Sequence, residues 1–185
     1  MSELTERLDK VKELVQDPDF LEGRGLSNEV NIRIFCYEAK DEMVVRHFVD
    51  QISSDTQLKC HLVVRNLYDV FLDICEEKRI LKAIPGMEEK KGSAYLLNQL
   101  QKNAGVDKFV TKMQYAPHEK GDVILVTGVG EVYPFMRIHV LLEKMQRDFS
   151  DVPILVMYPG EFDGRHVKLF DQLPANDYYR AFNVV

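Results

Sequence analysis

Val123-Ile124-Leu125-Val126-Thr127-Gly128-Val129-Gly130-Glu131 is the stretch that decides the fold. Four consecutive apolar residues mark a strand covered on both faces, as strands of parallel sheets are. The two glycines then turn the chain into a helix over 132–149. Its buried face is Phe135, Ile138, Leu142, Met145 and Phe149, and Pro134 suits a first helical turn. The pattern repeats downstream, where the apolar run 153–157 leads into Tyr158-Pro159-Gly160-Glu161-Phe162-Asp163-Gly164.

Upstream, 30–36 alternates as a strand, with Val30, Ile32, Ile34 and Cys36 on one face. A helix over 41–53 carries Val44, Val45, Phe48, Val49 and Ile52 at helical spacing. Residues 58–64 form a second strand, and Asn66 caps a helix reaching Lys78. A first helix, capped by Ser2, buries Leu4, Leu8, Val11 and Val15 and stops at Asp17-Pro18-Asp19. Residues 167–170 read as a short helical piece and 179–185 as a final strand. Between 80 and 121 no strand pattern occurs; Pro85-Gly86 breaks the chain, and 94–100 and 106–113 are short helices. That stretch is a helical insertion or an extended crossover within a single domain spanning 1–185. Strands separated by helices imply a three-layer α/β fold, a mainly parallel sheet of about five strands with helices on both faces.

A chain of 185 residues buries about 70% of its unfolded surface, so it stands without disulfide or metal. Cys36, Cys60 and Cys75 are odd in number and form no C-x-x-C, which fits buried thiols in a reducing cytosol. The charged N-terminus lacks the apolar core of a signal peptide, and no apolar run has the length of a membrane span. The expected location is therefore cytoplasmic, without membrane contact. The net charge of −6 and the lack of a basic run argue against direct nucleic-acid binding.

Ligands of open parallel sheets gather beyond the carboxyl ends of the strands, where both glycine turns lie. Gly128 and Gly130 let a ligand approach the backbone, and a helix start offers free N–H groups to an anion. Glu131 opposes that use, since it puts a carboxylate at the same helix start and favours the dipole itself. A tight strand-to-helix turn explains the same residues. In the second turn, Glu161 and Asp163 suit a cation or a basic partner residue, or are simply solvated. Tyr158 and Phe162 add aromatic surface of the kind that serves recognition.

Established catalytic signatures are missing. There is no G-x-x-x-x-G-K-[ST], no third glycine after Gly130, no G-x-S-x-G and no H-E-x-x-H. Where a phosphate loop would stand, Tyr37-Glu38-Ala39-Lys40-Asp41-Glu42 places three acids and no glycine. The five histidines show no ligand spacing, so no metal and no cofactor is expected. His139, near the apolar helix face, reads as a hydrogen-bonded core histidine.

The first turn, continued by Tyr133-Pro134-Phe135, Arg137, His139, Leu141 and Leu142, resembles the signature of the BrxB-like family. The second turn, then Leu169-Phe170, Leu173 and Asp177-Tyr178-Tyr179-Arg180-Ala181-Phe182, continues the resemblance. Gly23-Arg24-Gly25-Leu26 with Asn28-Glu29 resembles the family's N-terminal motif. The resemblance implies a component of bacterial BREX phage-defence islands, encoded beside an adenine methyltransferase, a large ATPase and an alkaline-phosphatase-like protein. It carries over no catalytic residue. It implies a non-catalytic accessory role, with other BREX proteins as partners, first among them the alkaline-phosphatase-like component or the large ATPase. A weaker, topological likeness is to an AAA-type core that has lost its phosphate-binding loop. The candidate interaction residues are Gly128, Gly130, Glu131, Tyr133, Tyr158, Gly160, Glu161, Phe162, Asp163 and Gly164. Arg24, Arg137, His139, Tyr178, Tyr179 and Arg180 are secondary. The alternative is a nucleotide- or anion-binding regulatory domain that uses the Gly128–Glu131 helix start and Arg24.

Overall fold

The structure, a computed structural model, describes residues 3–24, 31–163, 166–173, 176–177 and 182–183. The Ser2 cap, the 25–30 motif, Gly164 and the Tyr178-Tyr179-Arg180 group lie outside the described residues.

In chain order the elements are α1 (Glu3–Leu14), α2 (Pro18–Leu21), β1 (Ile32–Tyr37), α3 (Glu42–Ser53), β2 (His61–Asn66) and α4 (Leu67–Glu77). Then come α5 (Ile84–Lys91), α6 (Ser93–Asn103), α7 (Val106–Met113), β3 (Asp122–Thr127), α8 (Val129–Val132) and α9 (Ile138–Asp148). The chain continues with β4 (Ile154–Phe162), β5 (His166–Leu169), β6 (Asn176–Asp177) and β7 (Phe182–Asn183).

The main sheet runs β2-β3-β4-β1-β7 and is parallel throughout. β5 pairs antiparallel with the end of β4, and β6 with β5. Side chains alternate across each strand, and the two faces build two cores. Phe35, Tyr37, Val123, Leu125, Leu155 and Met157 pack against Leu8, Val11, Val45, Val49 and Ile52 of α1 and α3. Ile34, Cys36, Ile124, Val126, Val156 and Tyr158 pack against α4, α6, α7, α8 and α9 on the other side. Burial on both faces is the physical reason for the uninterrupted apolar runs in β3 and β4.

Several expectations are corrected. Pro85 does not break the chain; it sits in the first turn of α5, where its missing N–H costs nothing. The helix expected over 132–149 is α9 alone, and the short α8 ends where it was to begin. Tyr133, which precedes Pro134, takes extended backbone (ψ 134°), as pre-proline residues do, and α9 begins only at Ile138. The 167–170 piece is strand β5, and the second turn is no turn: β4 runs through Tyr158-Pro159-Gly160 to Phe162. Val44 is not core but 49% exposed.

At the amino ends of the strands, buried Asp122 ties the layers together. It accepts hydrogen bonds from Tyr115 Oη and the Glu119 N–H, and pairs with His61 Nδ1, each at 2.9 Å. Arg65 on β2 donates to the Met113 carbonyl at 3.0 Å, anchoring α7. Cys36 and Cys75 are buried and Cys60 half-buried, all as free thiols. Burial pushes the Cys36 thiol up to about 12, which keeps it protonated and unreactive.

Candidate functional site

The sheet order makes a crevice. After β1 the chain crosses to the far edge by way of α3 on one face, whereas the β3 connection leaves by α8 and α9 on the other. β1 and β3 flank β4, and connections that leave on opposite faces in this way leave a cleft at the carboxyl ends. Register brings those ends together, Tyr37 opposite Pro159 and Asn66 opposite Thr127. Between them and α3 lies a space of about 370 Å³ whose polar walls include Tyr37, Glu42, Arg46, Asp50, Asn66, Asp69 and Thr127.

Arg46 organises this cleft. Its Nε bonds Glu42 at 2.8 Å, and its Nη2 reaches Glu131 at 2.8 Å across the first glycine turn. The other Glu42 oxygen accepts from Tyr37 Oη at 2.6 Å. Burial, and then the bond to Glu42, raise the Tyr37 phenol far above its ordinary value. Hydrogen bonds to Glu42 and Glu131 raise the Arg46 guanidinium further above its usual value. Glu131 is thus not a bare carboxylate at a helix start; it closes a four-residue network. Arg46 is the one cation among the lining residues, against Glu42, Asp50 and Asp69. On the first turn of the same helix, outside the lining of the cleft, Met43 and Val44 are 72% and 49% exposed.

The glycines have a packing role. Gly128 is left-handed (φ 71°), and a Cβ there would collide with Asn66 Oδ1, whose side chain caps α4 by accepting from Tyr68 N at 2.9 Å and Asp69 N at 3.3 Å. A Cβ at Gly130 would meet Phe170 at 2.8 Å and Pro159 at 3.1 Å. Gly160 lies against the Lys168 carbonyl in the β4–β5 hairpin. Each space that suggested ligand approach is filled by protein.

The remaining candidates scatter. Tyr158 is fully buried, so it presents no recognition surface. Phe162 is half-buried against the core. Glu161 and Asp163 are exposed, and Asp163 accepts from His166 N at 2.7 Å. Tyr133 and Arg137 line a separate cavity on the α9 side. The His139 Nδ1 is buried without a hydrogen bond, contrary to the expected bonded core histidine; burial and then Arg137 lower its pKa. Arg24 pairs with Glu22 and Asp19. Glu22 and Gly23 border a space with Gly121, Asp122 and Pro153, at the amino ends of the strands. A strand length of about 20 Å therefore separates Arg24 from the Gly128–Glu131 turn, and an anion site joining the two is excluded. Among the described residues, no group of three His, Cys, Asp or Glu side chains stands together to hold a metal. No helix among them is long and apolar enough to cross a membrane.

A family model described as "BREX protein BrxB" matches residues 63–184. The chain belongs to the BrxB family. A BREX protein BrxB from Bacillus cereus (strain H3081.97) is 34% identical over all of this chain and 99% of its own length. One from Escherichia coli O9:H4 (strain HS) is 27% identical over 97% of this chain and 90% of its own length. No solved structure matches the chain. BrxB membership makes it a component of a BREX system. The BrxB match takes in the first glycine turn, β4 and α9, but begins after Glu42 and Arg46 in the chain.

Sequence reasoning missed Arg46, Met43 and Asp50. Helical spacing puts Glu42 and Arg46 on one face, four residues apart, which is the only local signal for the network. The link from Arg46 to Glu131 spans 85 positions and has no local signature.

Proposed function

We propose that this chain is a non-catalytic interaction module that docks another BREX protein at the carboxyl edge of its sheet. The observation that carries this reading is an acid-lined cleft whose one lining cation is already bound to two carboxylates, on a helix that also exposes Met43 and Val44 outside the cleft. Apolar anchors next to charge are the anatomy of a recognition patch: the anchors supply affinity and the charges supply register and steering. The partner surface that fits is an exposed arginine or lysine flanked by apolar side chains. The alkaline-phosphatase-like component and the large ATPase of the system are the first proteins to assay. The edge replaces the glycine–aromatic turns as the docking surface, because Tyr158 is buried and the glycines are packed against protein. The acids also disfavour a phosphate ligand in the cleft, so any ancestral ATPase-like core has here an edge suited to protein recognition.

Two double variants test this, Met43→Ser/Val44→Ser and Asp50→Lys/Asp69→Lys, assayed by co-purification with the other proteins of the system. All four side chains are exposed, so both variants should melt within a few degrees of wild type. Each should lose at least about tenfold in partner affinity, as truncated interface anchors do. Wild-type recovery of every partner by both variants would reject the docking edge.

A further inference from the structure

An apolar groove of about 540 Å³ lies between α4, α5, α6 and the Pro134-Phe135 step that follows the first glycine turn. Phe71 and Phe135 stack within it, their ring centroids 4.3 Å apart, and Tyr68, Leu72, Ile84 and Leu97 are half-buried on its walls. Surface helices normally bury one apolar stripe, yet α5, the outer wall, buries none of its residues. From Ser93 to Leu100 the groove follows α6 for about 10 Å.

The walls select the occupant. The one charged side chain among the lining residues is Glu88, to which Ser93 Oγ donates at 2.6 Å. Small-ligand sites fix orientation with convergent polar groups, whereas a groove walled chiefly by apolar side chains suits an amphipathic helix. α4 is the ridge shared with the docking edge: Asp69 lines the acid cleft, and Tyr68 and Leu72 line the groove. The exposed acids Asp69, Asp73 and Glu76 form one stripe along that ridge at helical spacing, and α4 contains no base. The exposed bases Lys78, Arg79 and Lys82 follow only beyond its carboxyl end. Lys90 and Lys91 of α5 do not line the groove, and Lys91 Nζ lies over the Tyr95 ring, 4.6 Å from its centroid. An acidic ridge beside an apolar groove is complementary to a helix with bases beside its apolar stripe.

We propose that the docking surface crosses α4 into this groove, and that the groove takes a short amphipathic helix of the partner protein. Its apolar anchors stand at i, i+3 or i+4, and i+7, with lysine or arginine on the flank over α4. Anchors i and i+7 are about 10 Å apart, which matches the length of the groove along α6. The inference rests on the docking edge and names the partner element that the edge engages.

The test places the photo-crosslinker p-benzoylphenylalanine at Leu97 in the groove, at Asp69 on the cleft side of α4, and at exposed Lys10 of α1 as a control. Each full-length protein is co-expressed with the other BREX proteins, irradiated, and the captured peptide identified by mass spectrometry. Leu97 should capture a segment of one BREX protein with that apolar spacing and a net positive charge. Asp69 should capture the same protein, and Lys10 should not. Glu88 is exposed, so Glu88→Lys should melt within a few degrees of wild type. It should nevertheless weaken that partner's binding at least about tenfold, as like charges brought together at an interface do. Capture at Asp69 without capture at Leu97 would leave the docking edge standing and overturn the groove. Capture at neither position would overturn both. Capture at Leu97 of a second copy of this chain, of a nucleic acid, or of a segment without the apolar spacing would overturn the proposal, as would wild-type affinity in Glu88→Lys.

Discussion

Gly160→Ala separates a glycine kept for packing from one kept for recognition. Gly160 is paired with Leu169 where β4 runs on past the main sheet. A Cβ built there lies far inside contact distance of the Lys168 carbonyl oxygen, 3.0 Å from its carbon and 2.9 Å from Tyr158 Cε1. Carbon contacts normally begin near 3.5 Å, so the hairpin strands must part by at least about 0.5 Å. Neither obstacle gives way cheaply, since one is backbone and the other is a fully buried ring. Overpacking of this kind costs about 1–3 kcal/mol, and obstruction by main chain puts Gly160→Ala at the upper end. For a chain of this length about 3 kcal/mol lowers Tm by roughly 6–12 °C. Gly86→Ala is the control: it lies within α5 with nothing within 4 Å, so the added methyl should stabilise. Its helical propensity gain is about 0.5–1 kcal/mol. Urea and thermal unfolding of both variants would measure the contrast. A Gly160→Ala protein as stable as wild type but unable to bind partners would refute the packing argument and restore recognition to that segment.

Asp122 carries a pH-dependent share of stability. Burial alone would raise its pKa, but the bonds from the Glu119 N–H, His61 and Tyr115 outweigh burial and the net shift is downward. A depressed carboxyl stabilises fully above its unfolded value, about 3.9, and that share is lost as pH falls through the lower folded value. Asp122→Asn should cost about 2 kcal/mol at neutral pH and flatten the Tm profile below pH of about 4; an unchanged acid limb would refute the assignment. Arg46→Ala should change stability by no more than about 1 kcal/mol, because its ion pairs are partly exposed. It should also tighten binding of a basic partner by freeing Glu42 and Glu131, and weaker binding would show that Arg46 itself contacts the partner.

The layers of this protein were legible from local pattern. Uninterrupted apolar runs at 123–126 and 153–157, bounded by turn residues, read as strands buried on both sides, and the 3.6-residue spacing over 41–53 and 66–78 reads as helix. Capping by Asn66 was legible for the same reason, since the cap acts two and three residues away. Periodicity falters where neighbours far along the chain decide. Val44 has the spacing of a core residue, yet α3 is rotated so that Val45, Val49 and Ile52 meet β1, β3 and β4. Tyr158 looked like loop surface because Pro159-Gly160 follows it, but pairing of β5 with β4 prolongs the strand and seals the ring inside.

The sequence by itself therefore determined a parallel α/β core and its family, because both depend on residue type and short-range spacing. Only the tertiary structure decided what the glycine turns are for. Sheet order sets Asn66 under Gly128, Phe170 under Gly130 and Lys168 against Gly160, and it carries Arg46 across to Glu131. It also holds Arg24 at the far end of the strands. Apart from Lys168, which the β4–β5 hairpin supplies, those neighbours come from crossovers spanning tens of residues, and no local period in the chain encodes which strand ends will meet.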